Sequence, residues 1–271
     1  MSIEGQIKKT IKEYELIKKQ DRLIVALSGG KDSTSILYLL KKLGYDVNAL
    51  MINLNFGEWS KLNLINMENF CKSINVNLDV INLNEVCRIE EIVEKSHLTK
   101  CTVCGVVKKW ALNKWAKKLR ADKIVTGHNL DDECQTIIMN FLKGNIYLGI
   151  NSTPLTGVSN ANFVQRIKPL FFTPEDEIKK YAEKMHFPVV YERCPYASKS
   201  YRIETREWLK DFSDNQKLKI VKNYQKIIPE LRKRSKDEII NCEICGEASK
   251  NKICRACSFL NCSKIMTTQK K

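Results

Sequence analysis

The sequence lacks any run of about 18 uninterrupted apolar residues, so no membrane-spanning helix is expected. Its first stretch, MSIEGQIKKTIKEYELIKKQDR, is lysine-rich and mixed in charge, without the apolar centre of a secretory signal. A cytoplasmic location is the expectation. No segment repeats, no helix-turn-helix or RNP-type signature is present, and the G-x-x-x-x-G-K spacing of a Walker loop is missing. Acidic residues are also in short supply: 31 Asp and Glu stand against 46 Lys and Arg in 271 residues, a net charge of +15. That surplus, with a pI near 9.3, favours a polyanionic partner, nucleic acid first, although a merely basic solvated surface has the same signature. The 43% hydrophobic content is ordinary for a globular chain and suffices for one main domain with small additions.

Cysteine, by contrast, is abundant, with eleven in all. Without a secretory signal these do not read as a disulfide framework, which moves metal and sulfur chemistry forward. Cys101 and Cys104 form a C-x-x-C pair in KCTVCGVVKKW, and Cys242, Cys245, Cys254 and Cys257 form a quartet in CEICGEASKNKICRAC. Cys71, Cys87, Cys134, Cys194 and Cys262 stand apart. The quartet has the spacing of a tetrathiolate Zn2+ ribbon, with Gly246 suited to a tight knuckle turn. So small a module cannot build a core of its own, so its plain role is to staple the fold. Lys250, Lys252 and Arg255 leave room for RNA contact as well.

RLIVALSGGKDSTSILYLLKKLGY reads as strand, Gly-Gly turn and amphipathic helix. DVNALMINL and VNLDVINL read as strands around a helix over LNLINMENFCKSIN, with Leu62, Ile65, Met67 and Phe70 partly in register. A helix from the C-x-x-C pair leads into a fourth strand, DKIVTG, and a helix over DDECQTIIMNFL. Residues 144–164 look irregular. QRIKPLFFTPEDEIKKYAEKMHF returns to strand and helix, with Thr173 as N-cap and Pro174 as first helical residue. PVVYERCPY reads as a short strand and turn, with helices following to about residue 236. The alternation predicts an α/β fold with a doubly wound parallel sheet, its helix N-termini and ligands at the carboxyl rim.

SGGKDS, Ser28 to Ser33, follows an apolar strand and opens a helix. Its glycines, Gly29 and Gly30, let backbone N–H groups approach an anion, and the helix start adds positive potential. Lys31 can neutralise phosphate charge, Asp32 can place Mg2+, and the Ser28 and Ser33 hydroxyls can bond phosphate oxygens. The plainer alternative is a turn in which Asp32 or Ser33 caps the helix. The string resembles the pyrophosphatase (PP) loop of the N-type ATP pyrophosphatases, adenine-nucleotide α-hydrolase-like proteins that bind ATP's pyrophosphate and transfer AMP. TGHNLDDECQT, Thr126 to Thr136, falls on the same rim and is similar to a segment of the tRNA-thiolating members. Asp131 and Asp132 can serve as helix caps, or can bind Mg2+ and assist proton transfer. The resemblance implies Asp132 and Asp32 as catalytic candidates and Gly127 as part of the ATP site. His128 is read as a hydrogen-bonder rather than a base.

Cys101 and Cys104 open a helix at this rim, where the helix start and Lys100, Lys108 and Lys109 favour thiolates. Cys134 shares the spacing of Ile137, Ile138 and Phe141, the pattern of a buried face, whereas Cys194 lies in a turn. Three thiols remain: Cys101, Cys104 and Cys194. They suit an iron–sulfur cubane with one open iron, a persulfide relay with a structural third cysteine, or a zinc site lacking a ligand. CTVCG, TGHNLDDE, RIKPL and RCPY in this order resemble the TtuA/NcsA-type tRNA 2-thiouridine synthetases. That resemblance spans roughly residues 20–260 and implies a 4Fe-4S cluster on the three matching cysteines, with Lys108 as a catalytic or ATP-site lysine. One departure is that residues 1–20 hold no cysteine, where many members carry another zinc ribbon.

The expected organisation is a basic N-terminal helix over 1–20, which stands where those members have that ribbon, a PP-loop catalytic domain over 21–195 and a helical extension over 196–240. A zinc ribbon over 241–262 and a tail over 263–271 complete the organisation. The expected activity is tRNA uridine 2-sulfurtransfer: ATP adenylates the uridine C2 oxygen, and sulfur held on the cluster displaces AMP. The expected partners are tRNA, sulfide or a thiocarboxylated ubiquitin-like carrier, and a second copy in a homodimer, with ATP, Mg2+, the cluster and Zn2+ as cofactors. The alternatives are a 2-thiocytidine synthetase, a cluster-free persulfide thiolase, an amidating or lysidine-forming ligase, and a non-enzymatic zinc-ribbon RNA-binding protein.

Overall fold

The computed structural model describes residues 2–157, 160–197, 201–235 and 238–260. The chain runs α1 (Ile3–Glu13), β1 (Leu23–Ala26), α2 (Lys31–Lys42), β2 (Val47–Asn53), α3 (Gly57–Ser73) and β3 (Leu78–Asn82). A single turn α4 (Leu83–Val86) and a short α5 (Ile89–Ser96) precede α6 (Lys100–Lys118), β4 (Lys123–Val125) and α7 (Leu130–Leu142). Then come β5 (Gln165–Ile167), α8 (Glu175–Lys184), α9 (Tyr201–Trp208) and α10 (Asp214–Arg234). The ribbon ends the described chain with β6 (Ile240–Asn241), β7 (Ala248–Ser249) and α11 (Arg255–Leu260).

The five main strands pair in parallel in the order β3-β2-β1-β4-β5, as a doubly wound sheet requires. The continuous apolar run of β1 has a simple cause. Leu23 and Val25 face one layer, with α1 and α2, while Ile24 faces the other, with α6 and the ribbon. Each such buried side chain contributes about 1.5–3 kcal/mol relative to exposure. The chain winds outward from β1 one way to β2 and β3, and the other way to β4 and β5. The loops leaving β1 and β4 therefore part at the switch point, where a crevice opens.

The lysine-rich N-terminal helix is not a free arm. Ile7 and Ile11, one turn apart, are buried in the α2 layer together with Leu16. On α3 the inward stripe is Ser60, Asn63, Met67, Phe70 and Cys71. Leu62 and Ile65, expected partly in register with Met67, are instead exposed, because at about 3.6 residues per turn they fall on the face of the helix opposite that stripe. Cys134 and Ile137 of α7 are buried as expected, but Phe141 is half-exposed, its ring edge against Tyr224.

Two local expectations are corrected. PVVYERCPY forms no strand, since Pro188 and Pro195 lack the N–H that a ladder needs. The helix after Thr173 starts one residue later, with Pro174 as N-cap and no side-chain cap of its own. Asp131 substitutes from the neighbouring helix, accepting the Glu175 N–H at 2.8 Å while its other oxygen takes Lys217 Nζ at 2.6 Å. Cys262 and the tail lie outside the described residues.

Candidate active site

At the end of β1 the backbone turns at Gly29, whose φ of +79° is a left-handed conformation. A Cβ there would lie 1.8 Å from Asn63 Oδ1, so only glycine fits. Asn63 in turn donates to the Ser28 carbonyl at 2.8 Å, which explains a polar residue on the inward stripe of α3. Ser33 Oγ accepts the Ser28 N–H at 3.1 Å and donates to the Gly30 carbonyl at 3.1 Å. No side chain caps α2, whose N-cap is Gly30. The loop is thus a closed cradle around free N–H groups at a helix start, the geometry that binds phosphate.

The loop after β4 lies directly on this cradle. A Cβ on Gly127 would come within 2.8 Å of Ser33 N, so the approach depends on glycine. Asn129, fully buried, links the two loops. Its Nδ2 donates to Asp32 Oδ1 at 3.1 Å, and its Oδ1 accepts the Asp132 N–H at 3.0 Å. Burial raises the pKa of both Asp32 and Asp132, and the Asp132 charge raises Asp32 further. Lys31 and Asn129 offset part of this at Asp32, and Arg206 and Arg202 do so at Asp132. Two adjacent carboxylates with elevated pKa beside a phosphate cradle suit Mg2+, which would stabilise both charges. Lys31 lies 3.0 Å from Asp32 and 2.7 Å from Glu175. These two carboxylates hold its pKa above the ordinary value against the opposing pull of burial. Asp131, the other carboxylate of the pair, is committed to the α8 start and Lys217.

A cavity of about 510 Å³ opens from Ser28 and the end of β2 toward α6. Cys101, Cys104, Cys194, Lys108 and Arg202 all line it. The coil carrying Cys194 is fixed by side-chain contacts rather than a ladder. Trp59 Nε1 donates to the Glu192 carbonyl at 3.0 Å, and Tyr196 packs edge-on against Phe56 with Lys100 over its ring. Cys101 Sγ lies 3.5 Å from the Tyr196 carbonyl. Cys104 is buried, Cys194 half-buried and Cys101 exposed. The expectation of a thiolate fails at Cys104. Burial pushes its thiol up, Cys194 and Cys101 add to this, and Lys108 is outweighed.

The two cysteine sets differ in closure. Among the described residues the quartet alone gathers three or more His, Cys, Asp or Glu ligand atoms within 4.8 Å of one another. Cys254 N–H points at Cys242 Sγ at 3.2 Å and Cys257 N–H at Cys254 Sγ at 3.4 Å, the bonds of thiolate knuckles. Although burial acts the other way, the Cys254, Cys245 and Ile244 N–H groups bring Cys242 down to about 6. This donor set fits Zn2+. The trio lines its cavity without closing on a point, as a cluster requires, because each thiolate of a cubane holds a different iron.

Several site residues carried no signal in the sequence. Asn63, Asn129, Glu175 and Arg202 are supplied by three separate helices and a helix cap, and Cys87, whose thiol burial pushes up to about 12, lies beside Cys104. Only TPEDE, an acidic helix start, hinted at Glu175.

Comparison with known proteins agrees with this geometry. The model of the PP-loop domain family matches residues 1–202. A "Probable sulfurtransferase" of Methanocaldococcus jannaschii is 37% identical, over 95% of this chain and 79% of its own. The tRNA-5-methyluridine(54) 2-sulfurtransferase of Pyrococcus horikoshii is 32% identical, over 96% of this chain and 85% of its own. Among solved structures, the U34-tRNA thiolase NcsA of Methanococcus maripaludis with its [4Fe-4S] cluster superposes with a TM-score of 0.78. It is 26% identical, over 95% of this chain and 85% of that one. With a nucleotide cradle, paired carboxylates and three cysteines on one rim, the chain belongs to the PP-loop family, in the group of the tRNA 2-sulfurtransferases.

Proposed function

We propose that the chain is an ATP-dependent tRNA uridine 2-sulfurtransferase. The observation that carries this reading is the shared cavity, in which the cradle's Ser28, three cysteines and Lys108 face one space. ATP phosphates would rest on Ser28–Ser33, with Asp32 and Asp132 holding Mg2+ and Gly127 allowing the close approach. The uridine C2 oxygen attacks the α-phosphorus, the bond to the β-phosphate oxygen breaks, and pyrophosphate leaves. Lys108 faces the charge that develops there. Sulfur then adds at C2, the C2–O bond breaks and AMP departs, so the adenylate turns a poor leaving oxygen into a good one.

Cys101, Cys104 and Cys194 would hold the 4Fe-4S cluster, which supplies soft, activated sulfur at an open iron. The apolar end of β2 and Phe56 keep that side of the cavity short of water, which would only regenerate uridine. Sulfide or a thiocarboxylated carrier as donor, and a homodimer, belong to the same reading. The test is anaerobic reconstitution with iron, cluster spectroscopy, and nucleoside mass analysis of tRNA after adding ATP and sulfide. A 2-thiouridine product that requires ATP and cluster is expected. Product formed without either overturns the reading.

A further inference from the structure

The charges around the two rim loops are unevenly divided. On the cradle side, cations meet carboxylates: Lys31 has Asp32 and Glu175, Arg206 has Glu175, and Lys217 has Asp131. On the other side of the β4 loop, cations crowd together. The charges of Arg166 of β5, Arg202 of α9, Lys108 and Lys168 just after β5 all act there on Lys109 of α6. Glu133 contacts one of the four, lying 2.6 Å from Lys168 Nζ. Asp132 lies within reach of the Arg202 charge but belongs to the carboxylate pair of the cradle.

The remaining cations are held by neutral groups and left short of acceptors. Arg166 Nη2 donates to the Lys109 carbonyl at 3.2 Å, and its guanidinium lies over the Phe163 ring. Its buried Nε has no hydrogen-bond partner among the described residues. Arg202 Nη2 reaches Thr136 Oγ1 at 3.3 Å. No acceptor among the described residues is within hydrogen-bond reach of the Lys109 ammonium, whose pKa is lowered first by desolvation and then by Arg166 and Arg202. His128, with Nδ1 3.0 Å from Thr126 Oγ1, is brought down to about 4 by desolvation and then by Lys168, and adds no charge at pH 7. Like charges held this close, with a buried N–H left over, are costly unless an anion completes the site.

We infer that Lys109, Arg166 and Arg202 form a subsite for a backbone phosphate of the RNA strand that enters the cavity. The inference rests on the tRNA reading above. A phosphodiester is the anion favoured over a phosphate of ATP, because the cradle already provides for ATP and its own cations are matched by carboxylates. Lys108 and Arg202 also line the cavity, so a phosphate held here lies next to the space where a splayed nucleotide must be presented.

The test uses the full chain, an unmodified full-length tRNA transcript and a titration of salt. Three variants are compared: Lys109→Gln, Arg166→Lys, which keeps the charge but loses the fork and Nε, and Lys72→Gln at the far end of α3. Lys109→Gln is expected to weaken tRNA binding roughly tenfold near 0.1 M salt and to lower the slope of log K against log salt by about 0.7–1. Arg166→Lys is expected to weaken binding about two- to fivefold with the slope unchanged, since charge is conserved. Lys72→Gln should change neither, and ATP affinity by calorimetry should stay at the wild-type value in all three. Wild-type affinity and slope in Lys109→Gln and Arg166→Lys, with melting curves intact, overturn the subsite alone. Weakened ATP binding with an unchanged tRNA slope overturns it in favour of a nucleotide phosphate. A wild-type chain that binds no tRNA overturns the sulfurtransferase reading, and the subsite with it.

Discussion

The cysteine pair and the cysteine quartet meet on one helix and follow opposite plans. The first turn of α6 presents Cys101 and Cys104 to the cavity, and further along Trp110, Asn113 and Lys117 hold the ribbon. Trp110 Nε1 lies 3.5 Å from Cys245 Sγ, and Glu247 binds both Asn113 and Lys117, the latter at 3.1 Å. The quartet comes from one short segment, the β6–β7 turn and the start of α11, closes on a point and is largely covered by protein. The trio is drawn from a helix and a remote coil, borders an open space and includes an exposed thiol. A structural metal site gains from closure, since any vacancy admits water; a reactive site needs a vacancy facing its substrate. The comparison also shows α6 to be the common footing of both.

The strongest way to break this contrast is Cys194→Ala. Thiolation should fall to background while zinc content and melting temperature stay at wild-type values, because Cys194 sits on a coil outside the sheet. Thiolation that survives with no cluster signal in either form would refute the cluster reading. Asp132→Asn comes next, with an expected loss of roughly 10²–10⁴-fold in turnover. Its stability should move the other way. A carboxyl whose pKa is higher folded than unfolded favours folding below the unfolded value, and that advantage is lost as pH rises through the folded value. At pH 7–8 without Mg2+ the variant should therefore melt higher than wild type, and the gap should shrink toward pH 4. A lower melting temperature at pH 8 would show that the carboxylate is well paired rather than stranded.

Cys245→Ser tests the other set. Opening the ribbon should cost about 2–4 kcal/mol, a drop of roughly 5–15 °C in melting temperature, with zinc lost on colorimetric assay. Turnover at low temperature should fall far less than in Cys194→Ala; equal loss would mean that the ribbon takes part in the chemistry. The smallest effect is expected from Glu247→Gln, which loosens the ribbon from α6. It should cost about 1–2 kcal/mol in thermal denaturation and leave zinc bound. Wild-type melting would mean that the buried contact to Asn113 and Lys117 contributes nothing net.

The alternation of strands and helices, the cradle and the quartet were all legible, because each is a short-range pattern. Apolar runs set strands, Ser-Gly-Gly sets a turn that only glycine can make, and paired C-x2-C knuckles fold on their own residues. The errors came where a neighbour from elsewhere decided the outcome. Leu62 and Ile65 face solvent on the side of α3 opposite the Asn63 stripe, and burial outweighs lysine charge at Cys104, while Asp131, read as either a helix cap or a Mg2+ ligand, caps α8. By itself, then, the order of residues indicated the α/β fold through its strand-helix alternation, and the phosphate cradle and the metal knuckles through local spacing. The sequence already offered Cys194 as partner of the C-x-x-C pair, and the tertiary structure added that all three line one cavity. The tertiary structure alone linked Asp32 and Asp132 through Asn129, and left the Lys109 ammonium and Arg166 Nε without acceptors among the described residues. Those depend on how distant segments cross the sheet's rim, and no local spacing encodes that.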